Sequence, residues 1–128
     1  MILMNDFQEE PEKLKDEMLS AVERVLETGW YVLGKKVDQF EREWSAISGV
    51  EYGVGVANGM DAIEIALRSL DIGKGDEVIT TNMTAFATVL AIYRSGATPV
   101  IADIVSDTAL LDIKSVERCI TKKTKAVI

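Results

Sequence analysis

Two stretches near the N-terminus carry apolar residues at helical spacing. After Glu10-Pro11 the apolar positions recur every three or four residues, at Leu14, Met18, Val22, Val25 and Leu26. A second set with the same spacing is Val37, Phe40, Trp44 and Ile47. This spacing predicts two amphipathic helices. Gly29 is expected to end the first helix, and a loop bounded by glycines, 29–34, separates the two.

From Tyr52 onward, short apolar runs alternate with stretches of helical spacing. The runs predict strands over 52–57, 77–81, 98–104 and 125–128. The stretches between them predict helices over 59–70 and about 84–95, and a short one capped by Asp112 that runs through Ile120. This alternation is typical of an α/β fold with a parallel sheet and right-handed crossovers. We expect residues 1–50 to form a helical arm and residues 51–128 the β/α units.

Composition and charge narrow the classes of function. The chain has 128 residues, 48% of them hydrophobic, which is enough for one domain with a core. Its formal net charge of -7 argues against nucleic acid or an anionic membrane as partner. A single cysteine, Cys119, and an N-terminus without signal-peptide order predict a cytoplasmic protein. The absence of histidine excludes imidazole metal sites and Ser-His or Cys-His pairs, so no metal is expected.

The Asn58-Gly59 turn is a candidate anion site. Ligands of parallel sheets bind beyond the carboxyl ends of the strands, where this turn is predicted. Gly59 allows close approach of a ligand, and the first amides of the following helix favour a phosphate. An apolar stripe should pack this helix on the sheet; it comprises Ala62, Ile63, Ala66, Leu67 and Leu70. The alternative is that Asn-Gly only forms a turn and starts the helix.

The segment after the next strand, 80–88, is expected to form the second wall of the same cleft. It offers hydroxyl groups and the aromatic ring of Phe86. The alternative is that Thr84 serves only to cap the following helix.

The run "GVGVANG" invites comparison with a dinucleotide fingerprint. That pattern needs glycine at position 58, where the chain has Asn58, and it needs glycines in the turn. Gly53 and Gly55 fall in the predicted strand, where they would allow a helix to pack closely. A nicotinamide site is therefore disfavoured.

The sequence stops at Ile128, in an apolar strand whose edge would need covering. We expect that a longer protein has been cut there; the alternative is that another chain covers the edge.

Four segments taken together carry a resemblance to a known family: "GWYVLGKKVDQFEREWSAISGV", "NGMDAIEIALRSLDIGKGDEVITT", "MTAFATVLAIYRSGATPVIADI" and "ITKKTKAVI". In this order they resemble the N-terminal third of the DegT/StrS-type aminotransferases. The resemblance implies part of an aspartate-aminotransferase-like large domain (PLP fold type I), preceded by two N-terminal helices. It also implies the cofactor pyridoxal 5'-phosphate (PLP), a nucleotide-linked keto-deoxy sugar as substrate, and an amino-acid donor, expected to be glutamate.

The resemblance assigns roles to six residues. The amides of Gly59 and Met60 would bind the PLP phosphate, although the family usually has threonine or serine where this chain has Met60. At the position of Ala85 the family tends to have an aromatic residue that stacks on the cofactor ring. Ala85 cannot stack, so its neighbour Phe86 is the candidate for this contact. The remaining two, Trp30 and Tyr31, match a segment near the active site of family dimers. They are candidate substrate contacts in a homodimer.

No catalytic residue of the family falls within this chain. The Schiff-base lysine and the aspartate that pairs with the pyridine nitrogen lie downstream of the matched region. Four lysines of this chain occupy no family catalytic position: Lys35, Lys36, Lys74 and Lys114. We therefore expect the 128 residues alone to be inactive and to bind PLP weakly or not at all. A related PLP-dependent sugar dehydratase is an alternative to an aminotransferase, because the residue at the lysine position distinguishes the two and that position lies downstream of the matched region. A further alternative is a non-catalytic module that binds a phosphate ligand or self-associates through its sheet edge.

Overall fold

The structure, a computed structural model, describes residues 11–128. Their contacts fall into two compact units, one reaching to Gly55 and the other running from Val56 to Ile128. No helix in the described part of the chain is long and apolar enough to cross a bilayer.

The first unit contains two helices, α1 (Glu12–Thr28) and α2 (Lys35–Ser48). Each ends at a glycine in the left-handed conformation, Gly29 with φ 66° and Gly49 with φ 68°. Side chains other than glycine are strained at such φ values, so these glycines make efficient helix stops. Both predicted helices and the predicted stop at Gly29 are confirmed.

An extended segment follows α2 and packs against it. The amide of Gly55 donates to Glu41 Oε1 at 2.6 Å, and a Cβ on Gly53 would lie 3.0 Å from the carbonyl oxygen of Glu41. The close approach to a helix expected of these two glycines is therefore present. The predicted strand over 52–57 is wrong, because these residues have no ladder partner among those described. An apolar run becomes a strand only where another strand accepts its hydrogen bonds.

The second unit is built on a three-stranded parallel sheet with the order β2-β1-β3. In chain order the strands are β1 (Glu77–Thr81), β2 (Thr98–Ala102) and β3 (Thr124–Val127). In the central strand, Ile79 pairs with Val100 on one side and with Val127 on the other. The predicted parallel arrangement is confirmed, and β1 has the bounds that the sequence predicted.

Three helices accompany the sheet: α3 (Gly59–Ser69), α4 (Phe86–Ser95) and α5 (Ile113–Cys119). The connection through α4 leads from β1 to β2, and the connection through α5 leads back across β1 to β3. Because right-handed crossovers in opposite directions use opposite faces of a sheet, α4 and α5 are expected on opposite faces; α4 contacts β1 and β2, and α5 contacts β2. Residues 78–81 of β1 are accordingly all buried.

The end of β2 and the start of α4 differ from the sequence prediction. β2 ends at Ala102, and Ile104 forms an isolated antiparallel bridge with Leu111 instead of extending the sheet. The N-cap of α4 is Ala85, which is extended and makes no side-chain capping bond. The prediction that Thr84 caps this helix is wrong, because its Oγ1 lies 3.2 Å from Thr88 Oγ1 instead.

The core of the second unit lies between α3, α4 and one face of the sheet. Its buried members are Leu67, Ile72, Val78, Ile92 and Ala97, with Ile63 packed against them. The predicted stripe on α3 is therefore only partly buried, since Ala62, Ala66 and Leu70 are exposed. The reason is that α3 packs chiefly on α4, which covers only part of the predicted stripe.

Candidate functional site

The N-terminus of α3 is closed by a reciprocal pair of side-chain contacts. Asn58 Oδ1 accepts a hydrogen bond from the amide of Asp61 at 3.0 Å, and Asn58 Nδ2 donates to Asp61 Oδ2 at 3.1 Å. The sequence N-x-x-D at a helix start produces this arrangement, because a short side chain with an oxygen acceptor fits the N-cap position. The cap holds the first turn of α3 in one conformation.

The two amides that precede this capped turn face open space. Asp61 and Ala62 donate to Asn58, and no described residue accepts from the amides of Gly59 and Met60. A Cβ on Gly59 would meet no atom within 4 Å. Free amides at the positive end of a helix dipole attract anions, so this surface fits a phosphate group.

The N-terminus of α4 lies at the same end of the helix pair. The C-terminal halves of α3 and α4 are joined, since Arg68 Nη2 donates to the Arg94 carbonyl oxygen at 2.6 Å. Since α3 and α4 pack on each other and are joined near their C-terminal ends, their first residues, Gly59 and Phe86, lie at the other end of the pair. Ala85 and Phe86 are exposed there, Phe86 by 77%. The structure thus puts these four predicted residues (Gly59, Met60, Ala85, Phe86) on one surface, and their role in cofactor binding stays a prediction.

No strand leads into α3, since residues 52–57 are extended without a ladder partner in the described chain. The dinucleotide fingerprint requires a strand, a glycine-rich turn and a helix in succession. The nicotinamide alternative gains no support from this geometry.

Trp30 and Tyr31 belong to the loop between the two helices of the first unit. Trp30 Nε1 donates to the carbonyl oxygen of Val32 at 2.7 Å, and Tyr31 Oη donates to that of Leu26 at 3.2 Å. The polar atoms of both side chains are therefore used within the loop, and their rings are exposed. Their role as substrate contacts stays a prediction.

Two features, one in each unit, were missed by the sequence analysis. Lys35 and Lys36 line a cavity of about 370 Å³ together with Trp30. The available signal was the pair of adjacent lysines at a helix start, where acidic residues are favoured. The bonds between α3 and α4 could not have been found, because they join residues distant in sequence.

Titratable groups outside the site show no metal-binding arrangement. Among residues 11–128, no three Cys, Asp or Glu side chains are grouped to hold an ion.

A hydrogen bond to Glu51 raises the pKa of Tyr52, because a phenolate would face a carboxylate.

Comparison with known proteins gives three close likenesses. The chain is 43% identical, over 100% of its length and 35% of the relative's, to dTDP-3-amino-3,6-dideoxy-alpha-D-galactopyranose transaminase of Aneurinibacillus thermoaerophilus. It superposes on DesV of S. venezuelae with a TM-score of 0.88 and 43% identity, covering 95% of this chain and 33% of that one. The PLP form of Spr1654 from Streptococcus pneumoniae gives a TM-score of 0.81 and 38% identity, covering 85% and 28%.

The chain thus spans about a third of the length of these relatives. The partial α/β fold implied by the family resemblance is confirmed by the structural superpositions. Residues 12–128 match the model of the DegT/DnrJ/EryC1/StrS aminotransferase family, and the chain belongs to that family.

Proposed function

We propose that this chain supplies the phosphate-binding part of the PLP site in a nucleotide-sugar aminotransferase. The whole enzyme would transfer an amino group from an amino acid, glutamate, to a keto-deoxy sugar carried on a nucleotide. The observation that carries the proposal is the open N-terminus of α3 at Gly59 and Met60 in a member of this family. The name of the Aneurinibacillus relative, a transaminase of a dTDP-linked amino sugar, supports the substrate class.

Each residue at this surface would make a specific contribution. The amides of Gly59 and Met60 would donate to the phosphate, and the cap formed by Asn58 would hold those amides in place. Bound PLP supplies an electron sink that stabilises negative charge on the substrate carbon. Ala85 is too small to stack on a ring, whereas the exposed ring of Phe86 is available beside it.

Several roles extend beyond the phosphate site. Trp30 and Tyr31 are proposed as substrate contacts in a homodimer, and the protein is proposed to act in the cytoplasm. Because the family's Schiff-base lysine lies downstream of the matched region, the 128 residues alone should bind the cofactor weakly, through its phosphate, and should show no turnover.

The experiment that tests the phosphate site compares two substitutions of the same shape, Met60→Thr and Met60→Val. Only threonine adds a hydroxyl that can donate to a phosphate. The probe is pyridoxamine phosphate, which lacks the aldehyde that would react with surface lysines. Its binding is followed by equilibrium dialysis.

Met60→Thr should bind the probe roughly tenfold more tightly than Met60→Val, because a hydrogen bond to a charged acceptor forms only with the hydroxyl. Pyridoxamine without phosphate should not distinguish the two variants. If the two variants bind pyridoxamine phosphate with equal affinity, Met60, and with it the start of α3, does not belong to the phosphate site.

A further inference from the structure

Asn58 is followed by a glycine whose backbone nitrogen has no hydrogen-bond acceptor among the described residues. Both residues are exposed, and a Cβ on Gly59 would meet no atom within 4 Å. The nitrogen that follows an asparagine can reach the side-chain carbonyl carbon and close a small ring with it. Glycine leaves this nitrogen unhindered, because it has no side chain. The start of α3 therefore places an electrophile, Cγ of Asn58, next to a free nucleophile.

The position of the Gly59 nitrogen also favours the form of it that attacks. That form is the amide anion, which is produced when hydroxide removes the proton. Gly59 is the first residue of α3 and lies at the positive end of the helix dipole, where negative charge is stabilised. An N–H group bonded to a carbonyl oxygen would be held in its protonated form, and the Gly59 amide is one of the open amides of this helix end.

The capping bonds of Asn58 oppose this reaction. Oδ1 of Asn58 accepts from the amide of Asp61 at 3.0 Å, and Nδ2 donates to Asp61 Oδ2 at 3.1 Å. Ring closure requires the side chain to leave both partners and to turn towards Gly59. Opening an N-cap of average strength corresponds to a factor of about five in an equilibrium constant. The cap should therefore slow the reaction without preventing it.

We infer that Asn58 is a site of deamidation through a succinimide. The nitrogen of Gly59 attacks Cγ of Asn58, the bond between Cγ and Nδ2 breaks, and Nδ2 leaves as ammonia with a proton from water. Water then opens the ring at either of its carbonyl carbons, which yields aspartate or isoaspartate at position 58. In sum, an amide and a water molecule become a carboxylic acid and ammonia. Both products place a carboxylate at the start of α3, and isoaspartate also inserts Cβ into the main chain.

The reaction is linked to the phosphate site, and this link rests on the proposed function. A phosphate that accepts from the Gly59 amide holds the proton on the nitrogen and places negative charge beside it, so a bound phosphate should protect Asn58. The carboxylate of the product would in turn repel a phosphate. The chain should therefore lose its phosphate site on ageing without ligand and keep the site when ligand is bound.

Asn82 is the matched control within the same chain. It is exposed, as Asn58 is. The residue that follows it, Met83, has a large side chain, and the Met83 amide donates to Thr81 Oγ1 at 3.2 Å. Because this nitrogen is both hindered and bonded, Asn82 should react far more slowly. Trypsin cleaves after lysine and arginine and therefore places the two asparagines in separate peptides, 43–68 and 75–94.

The test incubates the chain at alkaline pH and follows both peptides by chromatography and mass spectrometry. Isoaspartate is identified with a methyltransferase specific for it. The same chain denatured in guanidinium chloride gives the rate without the cap. The native chain should form aspartate and isoaspartate at position 58 about fivefold more slowly than the denatured chain.

Two variants test the roles of the neighbouring residues. Gly59→Ala should lose most of the conversion, because its methyl group hinders the attacking nitrogen while meeting no other atom of the fold. Asp61→Ala should convert faster than the parent, because Nδ2 of Asn58 loses its acceptor. Far-ultraviolet circular dichroism checks that both variants are folded.

The inference is overturned if position 58 of the native chain stays asparagine while the denatured chain converts, or if aspartate forms without isoaspartate. It is also overturned if Gly59→Ala converts as fast as the parent, or if Asn82 converts as fast as Asn58.

Added ligand separates this result from the proposed function. Pyridoxamine phosphate should slow the conversion of Asn58, and pyridoxamine without phosphate should not. If Asn58 converts at the same rate with either compound, the modification site stands and the phosphate does not bind at Gly59. If pyridoxamine phosphate binds with the expected Met60 effect but Asn58 never converts, the phosphate site stands and the modification site does not.

Discussion

The Glu64 carboxylate on α3 pairs with the Arg94 guanidinium on α4, with 2.8 Å between Oε2 and Nε. The other carboxylate oxygen, Oε1, lies 2.9 Å from Nη2 of Arg68. Only 12% of the Glu64 side chain is exposed, so solvent screens these pairs less than it screens ordinary surface pairs. A single carboxylate thus connects the two helices whose N-termini form the candidate phosphate surface.

Glu64→Gln should lower the free energy of unfolding by about 1 kcal/mol, because both arginines lose their charged partner and remain half-exposed to water. Urea denaturation followed by circular dichroism measures the effect. Glu17→Gln is the control, since the Lys13–Glu17 pair is 3.7 Å long and both side chains are mostly exposed. An equal loss of stability in the two variants would show that Glu64 does not connect the helices.

Thr80→Val should raise the stability by about 1 kcal/mol. Thr80 is fully buried in β1, and its Oγ1 has no hydrogen-bond partner among the described residues. Valine has the same shape and removes the unsatisfied hydroxyl. Its neighbour Thr81 is also buried, but its Oγ1 accepts from the amide of Met83, so Thr81→Val should be destabilising. Thermal or urea unfolding of both variants gives the comparison. If Thr80→Val is less stable than the parent, the Thr80 hydroxyl has a hydrogen-bond partner after all.

Changes at Asn58 should separate the stability of α3 from its anion binding. Asn58→Ala removes the capping bond to Asp61 and should cost about 1 kcal/mol of stability. Asn58→Asp keeps an oxygen acceptor at the cap but places a carboxylate beside the free amides. It also loses the donor to Asp61 Oδ2 and sets two carboxylates against each other, so we expect it to be less stable than the parent and to bind pyridoxamine phosphate more weakly than Asn58→Ala does. If Asn58→Asp binds pyridoxamine phosphate as tightly as the parent chain does, the phosphate does not bind at the start of α3.

Two glycine-to-alanine changes should have opposite effects. Gly53→Ala would put its methyl group 3.0 Å from the Glu41 carbonyl oxygen and should destabilise the first unit by about 1 kcal/mol or more. Gly59→Ala meets no atom within 4 Å and reduces the freedom of the unfolded chain, so it should stabilise by about 0.5 kcal/mol. Urea denaturation measures both, and a neutral Gly53→Ala would show that the extended segment can move away from α2.

The sequence predicted those elements whose signals are local. Helices α1, α2, α3 and α5 are marked by apolar spacing together with a cap or a glycine stop. The central strand β1 was found with its bounds because its residues are buried on both faces and a turn precedes it. The start of α3 after the Asn58-Gly59 turn was likewise predicted, although the capping bond between Asn58 and Asp61 was not.

The failures of prediction concern partners distant in sequence. Residues 52–57 have the composition of a strand, but composition does not supply the neighbour that a strand requires. Part of the apolar stripe on α3 is exposed because α3 packs on α4, and the pattern of residues on α3 alone does not reveal that partner. The same holds for Glu64, whose partner Arg94 belongs to another helix, and for Trp30, whose cavity forms only when α1 and α2 meet.

The strand order β2-β1-β3 also constrains how the sheet can assemble as the chain is synthesised. β1 leaves the ribosome before either of its partner strands, and it stays without one until β2 and α4 have emerged. The contacts among α3, β1, α4 and β2 join segments close in sequence, so they involve short loop closures and should form first. β3 then pairs with an edge of β1 that has been open until that point, and an arrest of synthesis before Thr124 should leave that edge available to other chains.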